Sequence, residues 1–304
     1  MYTKEIRKPA RLACVGLNVV DCYQNQGKAY PGGNEYNVSI FARRLGAQAA
    51  FIGCFGKDFY SGANYALALQ AGVDLSRCRH YPEECGMAMV TLEQGDRTFL
   101  GSNNGGVTGR HPVRLDEADL RFLEKYDITV SDRYSRMAPA EFAKLAAKGI
   151  PLAYDFGDEE PDELTWAVLP HCTVAFFSCS HRKDQEIDDL AQKGLAAGCR
   201  AVVMTMGARG ARTYARGMDD PVCCAARVGP VLDTMGAGDS FLTAFLVTAI
   251  QKFALAPQGS GEWMECMQAG TQFAFENCGF YGSIGYGLPC PQDSEYQNIQ
   301  FKRR

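Results

Sequence analysis

The sequence predicts an α/β fold on a mostly parallel sheet, with a small β-sheet lid. Two patterns carry that prediction. Short apolar runs of strand length alternate with longer segments whose apolar residues recur at helical spacing, as expected for strands joined by helical crossovers. One stretch breaks the rhythm: two strand-like runs are joined by a short polar turn with no helix between them.

Taken in order, residues 12–16 (Leu-Ala-Cys-Val-Gly) read as the first strand. Residues 37–45 place Val38, Phe41, Ala42 and Leu45 on one helical face. Residues 49–53 form the next strand, and residues 58–71 a helix that Gly72 ends. The hairpin follows, with residues 86–92 and 97–100 as strands around Glu93-Gln94-Gly95-Asp96. Residues 101–106, rich in Gly and Asn, read as a loop. Strand-like runs recur at 128–130, 151–154, 173–177 and 201–205, with helical patterns over 139–148 and 185–197. Residues 228–232 read as a last apolar strand before the buried helix 241–250.

The chain has 304 residues and is 46 % hydrophobic, enough to bury most of the surface it exposes when unfolded. We read residues 1–304 as one domain, with a lid formed by roughly 18–35 and 85–105. Its 31 basic and 35 acidic residues give a net charge of −4, which favours neither nucleic acid nor an anionic membrane as partner. The 13 cysteines are scattered without Cys-x-x-Cys spacing, and no His pair stands nearby at ligand spacing. That argues against a zinc site and for a reduced, cytoplasmic protein. Lys4, Arg7, Lys8 and Arg11 precede no apolar core of signal-peptide length.

Four motifs carry chemistry. In Gly236-Ala237-Gly238-Asp239 the glycines permit a tight turn, and the free amides of Gly236, Ala237 and Gly238 at a helix N-terminus favour an anion. Asp239, one step further, is placed to accept a hydroxyl proton, or else caps the helix. Thr205-Met206-Gly207-Ala208-Arg209-Gly210 follows a strand and suits a loop passing close to a nucleotide, although Gly-rich turns are common. Gly32-Gly33 opens the backbone to a polyol, and Asn37 offers both a donor and an acceptor; Asn34 or Asn37 as a helix cap explains the same residues. Asn18-Val19-Val20-Asp21 lies at the end of the first strand, where parallel sheets bind ligands, and Asp21 there reads equally as a turn residue.

In this order and spacing the four motifs resemble the ribokinase-like (PfkB) family of sugar and nucleoside kinases. The similarity covers nearly the whole chain and is most specific at residues 233–239. It implies a doubly wound α/β domain, with helices on both faces of the sheet and a β-sheet lid over the sugar. It also implies Asp239 as base, residues 236–238 as anion hole, and Asp21, Gly32, Gly33 and Asn37 on substrate hydroxyls. ATP would lie on Thr205, Gly207, Gly210 and Thr271. ATP and Mg2+ are the implied cofactors, with K+ as a monovalent ion held through Asp233. Within the family the chain is most similar to the fructoselysine 6-kinases, on Gly16-Leu17-Asn18-Val19-Val20-Asp21-Cys22-Tyr23, Ala153-Tyr154-Asp155-Phe156 and Gly282-Ser283-Ile284-Gly285-Tyr286-Gly287. The implied reaction is phosphorylation of the 6-hydroxyl of a fructosamine. The alternatives are a kinase for another sugar or a nucleoside, and a non-catalytic sugar sensor.

Two departures from the family pattern stand out. Ser178 and His181 occupy the positions of an Asn-x-x-Glu pair that organises water around Mg2+ in many members, so ATP phosphates are expected to hold the ion. Glu35 stands where a small or apolar residue is common; it reads as a solvated acid favoured by the helix dipole, or as a partner for a substrate amine. An exposed lid sheet also offers an edge through which a homodimer would form.

Overall fold

The computed structural model describes residues 8–93 and 96–290. The strands are β1 (Arg11–Val15), β2 (Val19–Tyr23), β3 (Lys28–Gly32), β4 (Gln48–Ile52), β5 (Cys54–Phe55), β6 (Arg79–His80), β7 (Gly86–Glu93), β8 (Asp96–Ser102), β9 (Ile128–Asp132), β10 (Leu152–Asp155), β11 (Val174–Ser178), β12 (Ala201–Thr205), β13 (Ala211–Ala215), β14 (Val222–Cys224) and β15 (Leu288–Pro289). The helices are α1 (Asn34–Arg44), α2 (Phe59–Gln70), α3 (Gly106–Arg110), α4 (Glu117–Leu123), α5 (Pro139–Ala147), α6 (Glu163–Val168), α7 (Asp184–Ala197), α8 (Ala237–Phe253) and α9 (Gly259–Asn277).

The central sheet has the order β14-β13-β12-β11-β10-β9-β1-β4. Every pair from β12 to β4 is parallel, and β13 alone is reversed, pairing antiparallel with both β12 and the edge strand β14. Successive residues of a strand point to opposite faces, so a strand covered on both sides must be apolar throughout. In β11, Val174 and Phe176 join the core formed with α1, α8 and α9, while Ala175 and Phe177 join the one formed with α4, α5 and α7. The sheet is therefore doubly wound. Helix α8 is held by Phe245, whose ring lies 5.6 Å from Phe176 and 6.0 Å from Trp263. Burying a side chain of that size stabilises by roughly 1.5–3 kcal/mol, and it fixes the helix whose N-terminus carries the Gly-Ala-Gly-Asp run.

The lid is a second sheet of order β15-β3-β2-β7-β8, in which only β2 and β7 pair in parallel. The two expected segments supply four of its strands. The fifth, β15, comes from the far end of the chain, and two residues are too few for a periodic signal. Residues 94–95 of the expected hairpin turn lie outside the described residues, as do Lys4 and Arg7.

Several expectations need correction. Residues 228–232 form no strand: Gly229 and Pro230 interrupt the segment, Pro offers no N–H to a ladder, and Val228 is 95 % exposed. Asn18 to Asp21 does not end the first strand; β1 stops at Val15, and Asp21 sits within lid strand β2. Gly101 and Ser102 belong to β8, and Gly106 opens α3. Helix α1 starts at Asn34 with Gly33 as its N-cap, so neither Asn34 nor Asn37 caps it. Among the described residues no helix is long and apolar enough to cross a membrane.

Candidate active site

The Gly-rich run forms the entry to α8. Gly236 is its N-cap at φ +72°, and a Cβ there would stand 2.9 Å from Ser283 Cβ, so glycine is required on both counts. The Ala237 amide turns back to Thr234 O (3.2 Å), contrary to the expectation of three free amides. The Gly236 and Gly238 amides have no protein acceptor among the described residues. Asp239 lies in the first turn and does not cap the helix. It is only 7 % exposed, and its Oδ2 accepts a hydrogen bond from Asn37 Nδ2 at 2.8 Å. Burial pushes its carboxyl up to about 8 against the pull of the Asn37 bond, with Asp155, Asp132 and Asp21 adding repulsion. The Oδ1 of Asn37 is buried without a partner among the described residues, a free acceptor next to Asp239.

Asp21, Gly32, Gly33 and Asn37 gather where the lid meets α1. Gly32 pairs with Val19 in the β2–β3 ladder, and a Cβ on it would overlap Asp21 Oδ2. Gly33 has φ +103°, and a Cβ there would meet Leu17 O at 2.6 Å. The two glycines thus let β3 pass against the Asp21 carboxylate and the backbone of Leu17. Burial pushes Asp21 up to about 7, opposed by Arg97.

Glu35 overturns the solvated reading. It is 1 % exposed, accepts the Leu17 amide at 3.1 Å and the Ser131 hydroxyl at 3.4 Å, and its carboxyl fills the space a Cβ on Gly16 would need. Burial pushes it up to about 7, with its Asp132 hydrogen bond opposing. Asp132, at the carboxyl end of β9, is pushed well up by burial and by Glu35. Burial likewise lifts Asp155, at the end of β10, to about 6. Because the folded state favours the protonated forms of Asp21, Glu35, Asp155 and Asp239, it binds more protons than the unfolded chain above the ordinary carboxylate range. The stability from these groups is complete at low pH and is lost progressively as pH rises from the ordinary carboxylate range through about 8. We therefore expect a lower melting temperature at about pH 8.5 than at about pH 6. A calorimetric scan in which the melting temperature rises over that interval would overturn the account.

On the other side of the Gly-rich run, Thr205, Gly207, Gly210 and Thr271 line a cleft of about 630 Å3 together with Ala237 and Gly238. The expected nucleotide residues and two members of the expected anion loop therefore share one cavity. Gly210, at φ +89°, brings the loop against Cys224 O, which a Cβ there would overlap. Ser178 lines the same cleft at the end of β11, whereas His181 is exposed, 3.8 Å from Glu160.

The pattern of the pfkB family of carbohydrate kinases matches residues 10–286. The chain belongs to that family. It is 36 % identical to fructosamine kinase FrlD of Bacillus subtilis over 92 % of this chain and 94 % of that protein. It is 33 % identical to fructoselysine 6-kinase of Escherichia coli over 77 % of this chain and 87 % of that protein. In fold it is similar to the structure of Arabidopsis thaliana ribokinase complexed with ribose and ATP, with a TM-score of 0.76 at 19 % identity, covering 96 % of this chain and 99 % of that one.

For this pfkB chain the structure also adds residues that the motifs left out. Arg97, on lid strand β8, reaches across to the same cleft and to Asp233. Asp132 stands beside Glu35 and close enough to Asp239 to raise it. An acid ending a strand-like run was the available signal for Asp132; nothing in sequence places Arg97 opposite residues well over a hundred positions away.

Proposed function

We propose that the chain is an ATP-dependent fructosamine 6-kinase, transferring the γ-phosphoryl group of ATP to the 6-hydroxyl of a fructosamine such as fructoselysine. The observation that carries the kinase reading is Asp239: a buried carboxylate joined to Asn37 at 2.8 Å, in the first turn of a helix whose opening residues Ala237 and Gly238 line the cleft. The substrate class rests on the similarity to fructosamine kinase FrlD and fructoselysine 6-kinase.

In this reading Asp239 takes the proton from O6 as the bond from O6 to the γ-phosphorus forms and the bond to the β-phosphate oxygen breaks, leaving ADP. The amides of Gly236 and Gly238 stabilise the charge on the transferring group, and Asn37 holds Asp239 toward the sugar. Asp21, Gly32 and Gly33 position the sugar hydroxyls beneath the lid, and Thr205, Gly207, Gly210 and Thr271 hold the nucleotide. Mg2+, when bound, neutralises phosphate charge. Ser178, which lines the cleft, would offer a hydroxyl to an ion carried chiefly by phosphate oxygens and water. The scattered cysteines, without Cys-x-x-Cys spacing, suit a cytoplasmic setting. The open edge of β8 is where a second copy would add to form a homodimer.

Side-by-side kcat/KM for fructoselysine, fructose, ribose and adenosine tests the substrate. The fructosamine is expected to lead by tenfold or more, about 1.4 kcal/mol of transition-state preference, with phosphate on O6 by NMR. A lead of that size for ribose, fructose or adenosine would reject the fructosamine and leave the kinase.

A further inference from the structure

The Asp233 site does not fit the monovalent ion expected there. Alkali and alkaline-earth ions are held by several oxygen lone pairs not already engaged by N–H or O–H donors. Asp233 is fully buried, and its carboxylate is surrounded by donors. Its Oδ2 accepts the Tyr23 hydroxyl at 2.6 Å and the Gly282 amide at 2.8 Å. Its Oδ1 accepts the Met235 amide at 3.0 Å and has Arg97 Nε at 3.7 Å. The neighbouring Met235 carbonyl takes Asn277 Nδ2 at 3.2 Å. Ser283 Oγ is buried without a partner among the described residues, but a single hydroxyl is not a cation cage.

A positive charge is present at the site all the same. The guanidinium of Arg97 lies against Asp233, with Nη1 at 2.8 Å from Met235 Sδ, and it lines the cleft alongside Thr234, Ala237 and Gly238. Asp233 and Met235 are the residues from which the Gly236–Gly238 turn springs. An arginine is permanently charged and carries five donors in a rigid fork, so it can fix a carboxylate and a loop together without a diffusible ion.

We propose that Arg97 is the built-in cation of the anion loop: seated on Asp233 from the lid, it does the work of a monovalent ion, so that the enzyme runs without K+. It is a positioning residue, acting through Asp233 and the Gly236–Gly238 loop. The idea rests on the phosphoryl-transfer reading above and is independent of which sugar is used.

The test replaces KCl by tetramethylammonium chloride at constant ionic strength and follows the full-length protein in two ways. In steady-state turnover the wild type should change by less than about twofold, whereas Arg97→Ala should lose about tenfold in kcat, or about 1.4 kcal/mol, with or without K+, because the donors that remain around Asp233 still leave an ion no free oxygens. Arg97→Lys should keep most of the activity without K+. In thermal unfolding, which needs no sugar, K+ should leave the melting temperatures of both proteins unmoved, because only an ion bound to the folded state would raise them. Saturable K+ activation or K+-dependent stabilisation of the wild type overturns the proposal. So does an Arg97→Ala variant with wild-type kcat in tetramethylammonium, or one that K+ restores. If no sugar supports turnover, the kinase reading fails by itself while the thermal arm still decides whether K+ binds.

Discussion

Replacing Asp239 by Asn should lower kcat by roughly 10²–10⁴, the range for loss of a general base, with little change in KM for either substrate. The substitution keeps the size of the side chain and its place beside Asn37, so a fall in kcat alone isolates proton acceptance. The site also predicts a pH signature. Burial and the surrounding acids Asp155, Asp132 and Asp21 lift the free carboxyl to about 8. A base works only when ionised, so wild-type kcat/KM should rise with pH and level off above about 8, and the variant should lack that limb. The same burial makes the ionised carboxylate costly for the fold. At about pH 8 the Asn variant should therefore be more stable by about 1–2 kcal/mol, the usual size of an activity–stability exchange. Turnover near the wild-type level would take Asp239 out of the mechanism. Reduced turnover combined with reduced stability would mean that the side chain is structural.

How much of this could be read from the sequence depends on the range of the signal. The parallel strands and their helices were legible because each is a local periodic pattern buried on both faces, as in residues 173–177 and 201–205. The motif residues were legible because their chemistry is packed into short runs: a Gly pair before a helix, or Gly-Ala-Gly-Asp before an apolar one. What escaped depends on contacts between distant segments. Residues 228–232 have strand composition but no strand to pair with, so composition misled. Glu35 looks like a surface acid until the fold sets Asp132 and the Leu17 amide around it. Arg97 is one more charged residue in a hairpin until the lid brings it to Asp233, well over a hundred positions away.

Replacing Gly236 by Ala should cost roughly 10²–10³ in kcat, the scale for losing an aimed backbone donor to the developing charge. The reason is geometric. At φ +72° an L side chain is already strained, and the new Cβ would stand 2.9 Å from Ser283 Cβ and 3.1 Å from Ser283 Cα. Ser283 has little room to yield: Gly282 N is bound to Asp233 at 2.8 Å, and Ile284 O to Arg44 at 2.5 Å. The turn must therefore move, and with it the amides of Gly236 and Gly238. Gly238→Ala provides the contrast. Its φ is not positive, and a Cβ there meets nothing within 4 Å, so the free protein should keep its melting temperature and any lost activity reports the approach of the nucleotide phosphates. Gly236→Ala should instead lower both the melting temperature and kcat, with KM for the sugar changed least, because Asp21, Gly32 and Asn37 stand on other elements. Full kcat in Gly236→Ala would show that the turn is not the phosphate cradle, and the anion-loop assignment would then fall with it.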